Sequence, residues 1–465
     1  MNDLAIGLDS ANGGHLYEQI YDYMKREIRK GKLLCGERLP STRSLAEYLQ
    51  VSRSTVDLAY GQLLSEGYVE ARPCRGYYVC RIDDLFAMKE LPEQTVMSQA
   101  EEEEVFPYDF SPHSVELGSF PFGTWKKITK NTLIDDRKEM FALGHPQGDP
   151  ELRNTISRYL HASRGVNCTP EQIIIGAGND YLLMLLEKIL GKKYTAAVEN
   201  PTYKRAYRIL QSFSYDVKTI GMDLSGMRVD ELECSGAELA YVMPSHQFPT
   251  GIVMPIGRRL ELLRWAAEKE ERYLIEDDYD SEFRYRGKPI PSLQASDTAG
   301  KVIYIGTFSK AIAPAIRISY MVLPERLLAE YRKHCTFFSS TVSRIDQSVL
   351  NEFIRDGAFE RHLNKMRKIY KNRHDCLVTA CRNMLHHVKI SGENAGLHLL
   401  LHYQGERSEQ ELIRLAAQRG VKIYGMSDAY IGNLPESRKP TLILGYAGLS
   451  EERIEEGIRR LSDCI

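Results

Sequence analysis

The chain has 465 residues, 43% of them hydrophobic and 27% charged, and a net charge of -2; that length exceeds one compact core, so two or three domains are expected. The near-neutral balance excludes nucleic-acid binding driven by global charge, so any basic footprint has to be local. Nine scattered cysteines without a CxxC pair, and no histidines at metal-ligand spacing, exclude a disulfide framework or a zinc module, and no apolar run reaches the ~18 residues of a membrane span.

The polar N-terminus shows no signal peptide, so reduced thiols and a cytoplasmic location are expected. From His15 to about Lys30, Leu16, Ile20, Tyr23, Met24 and Ile28 recur at helical spacing, and Gly31 closes the helix. Leu39-Pro40-Ser41 ends the connection, and Ser41 caps a second helix carrying Leu45, Ala46 and Leu49. Ser52 caps a third, whose expected buried stripe is Val56, Ala59, Tyr60, Leu63 and Leu64, closed by Gly67. Two short strands follow, Tyr68 to Arg72 and Gly76 to Cys80. Three helices and a hairpin make a winged helix-turn-helix. The third helix is the candidate reading element, because its first turn sets Arg53, Ser54 and Thr55 beside free backbone amides that favour phosphate. Arg43, Arg72 and Arg75 add cations, although His15 to Arg81 holds only eleven Lys/Arg against eight Asp/Glu.

The ordered motifs Leu-Pro-Ser, Arg-x-Leu-Ala, Val-Ser-Arg-x-Thr-Val and Glu-Gly-Tyr resemble those of the GntR family of bacterial repressors over roughly residues 14 to 80. The resemblance implies operator contacts from Arg43, Arg53, Ser54 and Thr55, a wing that Gly76 lets approach the minor groove, and dimers on two half-sites. With the cap and the wing cations, the candidate DNA-contacting set is Arg43, Ser52, Arg53, Ser54, Thr55, Arg72, Arg75 and Gly76.

Residues 81–107, with Asp83, Asp84 and the run Glu101 to Glu104, are expected to form an acidic flexible linker. A large domain then begins near Tyr108. Phe120-Pro121 and Trp125 frame an early helix, and Glu151 to Ala162 forms another with Leu152, Ile156, Tyr159 and Leu160 on one face. Short apolar strands alternate with helices from there: Gln172 to Ile175, Thr195 to Val198, Glu238 to Met243, Arg272 to Ile275 and Val302 to Ile305. This alternation predicts an α/β, mostly parallel sheet with ligands at the carboxyl ends of its strands.

The first strand delivers the small-residue turn Gly176-Ala177-Gly178-Asn179, suited to phosphate at a helix N-terminus. The second delivers Tyr203 and Arg205, the third Pro244 to Gly251, the fourth Glu276-Asp277-Asp278-Tyr279, and the fifth Gly306-Thr307-Phe308-Ser309-Lys310. Alternation along an extended chain points Asp277 and Tyr279 to one side and turns Asp278 away. One cofactor satisfies all five ends: pyridoxal 5'-phosphate, with Lys310 on the aldehyde, Asp277 on the pyridine nitrogen and Tyr279 on the phenolic oxygen. Thr307, Ser309, Arg317 and the Gly178 turn would surround its phosphate. Asp277 and Asp278 also suit a solvated turn or a metal pair; no metal is expected.

Residues 108 to 465 resemble a fold-type I aminotransferase, and the fusion behind a GntR-type head resembles the MocR/GabR family of regulators, most closely in Pro244 to Gly251, Glu276 to Phe283 and Gly306 to Lys310. The resemblance implies a head-to-tail homodimer, an internal aldimine on Lys310, Tyr203 stacked on the cofactor, and Arg205 on an effector's carboxylate. Gly448, within Gly445-Tyr446-Ala447-Gly448-Leu449, stands where such proteins carry a carboxylate-binding arginine. Phe248 stands where many aminotransferases place an asparagine on the ring oxygen, which leaves Tyr279, Gln247 or His246 for that bond. Asp180, one residue past the phosphate turn, is expected to point away. Three functions fit: a transcriptional regulator whose pyridoxal domain senses a small amine, amino acid or dipeptide through an external aldimine at Lys310; a true aminotransferase with a DNA-binding appendage; and a regulator sensing pyridoxal phosphate itself.

Overall fold

The computed structural model describes residues 15–81, 105–134, 138–285, 290–393, 395–435 and 439–465. The chain divides into two compact units, Met1–Glu103 and Glu104–Ile465. Of the acidic linker expected at 81–107, residues 82–104 lie outside the described part of the chain.

In the first unit the helices run Leu16–Arg29, Thr42–Leu49 and Arg53–Ser65. Ser41 Oγ accepts from the Ser44 amide at 3.1 Å and Ser52 Oγ from the Thr55 amide at 3.2 Å, so both predicted serine caps fix a helix start, each contributing about 1 kcal/mol. Gln50, at φ +51, turns the chain between them. The core of Ile20, Met24, Leu45, Val56, Tyr60 and Leu63 is closed by Val69 and Val79 from an antiparallel hairpin, Val69–Arg72 with Gly76–Val79. Leu64, expected in the buried stripe, is 40% exposed: Tyr60 and Leu63 fill the core face and Leu64 falls one step round the helix.

The second unit is built on an eight-stranded sheet. From one edge the strands are Ile173–Gly176, Ser319–Val322, Val302–Thr307, Tyr273–Asp278, Leu239–Val242, Thr195–Asn200, Asp216–Asp223 and Gly226–Met227. Ser319–Val322 runs antiparallel to both neighbours, and Gly226–Met227 is antiparallel at the far edge. The five strands between them pair in parallel. All five predicted strands form, but the first reaches the others only across Ser319–Val322, a strand the α/β alternation does not announce. Ile305 pairs with Asp277 and Tyr241 with Ile275, which brings the ends of three central strands together. Helices Pro150–Arg164 and Asn179–Leu190 pack against this sheet through Leu152, Ile156, Leu160, Leu182 and Leu186. A long helix, Ala358–Met384, leads to a smaller antiparallel sheet of Val388–Ser391, His398–Tyr403, Thr441–Gly445 and Tyr424–Gly425.

Candidate functional site

At the start of the third helix Arg53 is 70% exposed, 3.5 Å from Asp57, and Arg43 on the second helix stands 3.1 Å from Glu47. Both are solvent-exposed pairs one helical turn apart, worth a few tenths of a kcal/mol and easily exchanged for a phosphate. Ser52 Oγ lies 2.8 Å from Ser54 Oγ and 2.7 Å from Thr55 Oγ1, so three hydroxyls cluster at the helix's amino end. On the hairpin Arg72 pairs with Glu70 at 2.6 Å and lies over the Tyr78 ring, and Arg75 is exposed at the turn. Gly76 has φ +98, a conformation natural to glycine, and a β-carbon there would meet Arg38 Nε at 3.4 Å. Arg38 is thus a further wing cation that the sequence reading passed over; its place two residues before the Pro40-Ser41 cap was the available signal.

In the second unit Lys310 follows the Val302–Thr307 strand, and its Nζ donates to the carbonyls of Pro112 (3.2 Å) and His113 (2.9 Å). Burial lowers its pKa to about 8, against a weaker upward pull from Asp280. On the neighbouring strand Asp277 is 5% exposed. Its Oδ1 accepts from Asn179 Nδ2 at 3.2 Å and its Oδ2 from the Tyr241 hydroxyl. Burial pushes its pKa up to about 7. Asp278 faces the other way, accepting from Arg164 Nε (2.9 Å) and the Tyr304 hydroxyl (2.6 Å), as strand alternation requires. A metal pair of the two carboxylates is thereby overturned, and no metal-ligating cluster occurs among the described residues. The Tyr279 hydroxyl lies 3.0 Å from His246 Nδ1, which also bonds Asp280 Oδ2 at 2.9 Å.

Gly178, at φ +94, precedes the helix Asn179–Leu190, and a β-carbon on it would fall 2.2 Å from Arg317 Nη2. Glycine is what lets that guanidinium lie against the helix's amino end. Thr307 Oγ1 accepts from the Ser309 amide at 3.1 Å and from Ser319 Oγ at 2.9 Å. Asp180 does not point away. It pairs with Arg205 at 2.5 Å and stands 3.6 Å from Arg317, two cations that offset its charge near the turn.

Two family models match the chain: "Bacterial regulatory proteins, gntR family" over residues 16–79 and "Aminotransferase class I and II" over residues 116–461. The chain is 42% identical to the uncharacterized HTH-type transcriptional regulator YdeL of Bacillus subtilis, across 96% of each chain. It is 32% identical to the probable rhizopine catabolism regulatory protein MocR of Rhizobium meliloti, covering 97% of this chain and 94% of that one. The chain belongs to the MocR family of transcriptional regulators. Among solved structures, this MocR-type chain resembles the kynurenine aminotransferase of Pyrococcus horikoshii at 24% identity and a TM-score of 0.67, over 83% of this chain and 96% of that one, a likeness of fold alone. It also resembles the multiple substrate aminotransferase of Thermococcus profundus at 25% identity and a TM-score of 0.68, over 83% and 97%.

The aminotransferase class I and II fold implies pyridoxal phosphate for this MocR-type regulator, and the residues present fit that group. A glycine bares a helix end beside Arg317, a buried carboxyl lies on the strand next to the lysine's, and Asn179 Oδ1 is buried without a partner among the described residues. Gln247 is engaged elsewhere: its Nε2 donates to the Pro201 carbonyl at 2.8 Å, and its Oε1 accepts from the Thr250 amide and hydroxyl. Of the three side chains expected for the ring-oxygen bond, Gln247 is thus already engaged, while Tyr279 and His246 stand 3.0 Å apart. Gly448 packs against Ser114, where a β-carbon would come 2.7 Å from Ser114 Cβ; an arginine has no room there unless that segment moves. Sequence reading missed His113, whose carbonyl holds the lysine, and Tyr241, which holds Asp277. Tyr241 sits inside a predicted strand, two residues short of its expected end, and looked like core.

Proposed function

We propose that this MocR-family protein is a pyridoxal-phosphate-dependent regulator that binds operator DNA through residues 1–80 and senses a small amine, amino acid or dipeptide in residues 108–465, with an acidic tether over 81–107. It acts in the cytoplasm, where its operator is. Arg43, Ser52, Arg53, Ser54, Thr55, Arg72, Arg75 and Gly76 form the DNA-contacting face. Gly178, Asn179, Thr307, Ser309 and Arg317 hold the cofactor's phosphate end, Tyr203 covers its ring, Asp277 faces the ring nitrogen and Tyr279 the ring oxygen. When bound, the group supplies an aldehyde that links reversibly to amines and a ring that withdraws electrons. Lys310 is the chain's own amine for that link, and an effector amine takes its place. Arg205 takes the effector's carboxylate by sharing its charge with Asp180.

The observation that carries this reading is the pairing of Lys310, whose pKa, lowered by burial to about 8, leaves roughly a tenth of the amine neutral and nucleophilic at pH 7, with Asp277 on the adjacent strand. Exchange at Lys310 alters the second unit, and the change reaches DNA through the spacing of two heads in a head-to-tail homodimer. Leu117, Phe122 and Phe141, 54%, 68% and 77% exposed, support an apolar contact between copies. The absence of room at Gly448 disfavours the tight substrate orientation that turnover needs. The test is a titration of the cofactor-loaded protein with amines, amino acids and dipeptides, reading visible absorption and operator binding together. Turnover of an amino donor with a keto acid near the ~10 s⁻¹ common among enzymes would make it an aminotransferase instead. A response to cofactor addition alone would favour sensing of pyridoxal phosphate itself.

A further inference from the structure

A cleft of about 180 Å³ opens in the second unit, lined in part by Pro112 and His113, whose carbonyls hold the Lys310 amine. Its walls are aromatic: Phe248 lies 5.6 Å from the His113 ring and 6.0 Å from Tyr203, and Tyr424 stands on the side of the smaller sheet. Two charged groups line it apart from Arg205, Asp180's partner: the Lys204 ammonium and the Asp428 carboxylate; the His113 ring, also in the lining, is held neutral by burial and by Lys310. Neither Lys204 nor Asp428 has an ion pair or hydrogen bond among the described residues. Asp428 is held in place by its backbone. The Met426–Ala429 turn is docked on the larger sheet by Thr202 N to Ala429 O (3.0 Å), and Ile431 N and O bond the Asn200 side chain at 3.0 and 3.2 Å. A carboxylate among aromatic faces suits a cation, which gains from both.

We propose that the effector carries a second cationic group, seated on Asp428 between Tyr203, Phe248 and Tyr424, while its carboxylate goes to Lys204 and Arg205 and its reacting amine to the place of Lys310. The ligand class is a diamino acid. This rests on the sensing role proposed above, and the two fail separately.

The experiment titrates the cofactor-loaded protein with three amino acids of matched chain length: free L-lysine, L-norleucine and L-2-aminoadipate, whose side chains end in a cation, a methyl and an anion. The readouts are the midpoint of the change in cofactor absorption and the loss of operator binding. The cationic compound should act at about tenfold lower concentration than the neutral one, the combined worth of an exposed ion pair and a cation–π contact, and the anionic one should be weakest. Asp428→Asn should bring the first two together, and Asp428→Lys should invert the order, with absorption before titration unchanged in both variants. Equal midpoints for the three compounds, or an unchanged preference in Asp428→Asn, overturn the diamino-acid assignment while leaving amine sensing intact. If no compound alters absorption at any concentration, the sensing role falls and this assignment with it.

Discussion

The Arg53 side chain is 70% exposed, 3.5 Å from Asp57, whereas the Asp277 residue is 5% exposed and both its oxygens are engaged. The first belongs to a surface that costs little to build and recognises a partner by charge and shape brought from outside. The second belongs to an interior whose polar groups are held before any ligand arrives, and whose pKa values have been moved by burial. The arginines of the proposed DNA face stand in water, whereas burial moves Lys310 and Asp277 towards each other, one down to about 8 and the other up to about 7. A site that only binds can be assembled from surface residues; one that forms a covalent bond has to perturb them.

If that contrast holds, removing the amine should abolish one function and spare the other. Lys310→Ala is expected to eliminate the visible absorption of bound cofactor completely while leaving operator affinity of the effector-free protein within about twofold. In the wild type, cofactor uptake should quicken as pH rises towards about 8, because the neutral amine is the nucleophile. A Lys310→Ala protein with wild-type absorption would refute the assignment.

Asp277 gives the next largest effect, and its sign is opposite to that of a salt-bridged carboxylate. Its pKa in the cofactor-free fold is raised from 3.8 to about 7. Between those values the folded chain holds a proton that the unfolded chain has released, so stability is greatest at the acid end and falls as pH rises, by up to about 1.4 kcal/mol per pH unit. Asp277→Asn should flatten this dependence. Thermal unfolding of the cofactor-free proteins from about pH 4 to about pH 7 measures it, and parallel curves would mean that burial does not perturb the group.

On the other side of the comparison, Arg53→Ala should weaken specific operator binding by about 1–3 kcal/mol, about 5- to 150-fold, with cofactor absorption unchanged. Electrophoretic mobility shifts at fixed salt are the measure. Unchanged affinity would remove the third helix from the groove.

Much of this was legible in the chain, for different reasons in the two units. The head's helices were readable because Ser41 and Ser52 act locally, on amides three residues away; Leu64 was misplaced because periodicity sets which side of a helix is apolar and tertiary packing decides where burial stops. In the second unit Lys310, Asp277, Tyr279 and the Gly178 turn could be named as candidates because an α/β sheet binds ligands at the ends of its strands, and the structure does place them at or just past strand ends. Residues acting through distant partners were not. The Tyr241 hydroxyl reaches Asp277 across the sheet, the His113 carbonyl comes to Lys310 from 197 positions away in sequence, and Asp428 lines one cleft with Lys204 and Tyr203 because a turn of the smaller sheet docks there. Repulsion alone predicts that Asp180 turns away from the phosphate turn; Arg205 and Arg317, which flank it, offset that repulsion.

The smallest effect tests whether the DNA face is as lightly built as its exposure suggests. Ser52 serves twice: its Oγ accepts the Thr55 amide at 3.2 Å, and it holds the hydroxyls of Ser54 and Thr55 within 2.8 Å. Ser52→Ala should cost about 1 kcal/mol of head stability through the lost cap, whereas Ser52→Asp restores an acceptor for the same amide. The two variants separate folding from recognition. With a structural cap alone, Ser52→Asp recovers both stability and operator affinity. If Ser52 also faces phosphate, the added carboxylate recovers stability while binding falls below that of Ser52→Ala, because it sets a negative charge at the helix end offered to DNA. The second pattern is expected, since the Arg53 that follows has no other acid within ion-pairing distance than Asp57 among the described residues and depends on that end of the helix staying positive.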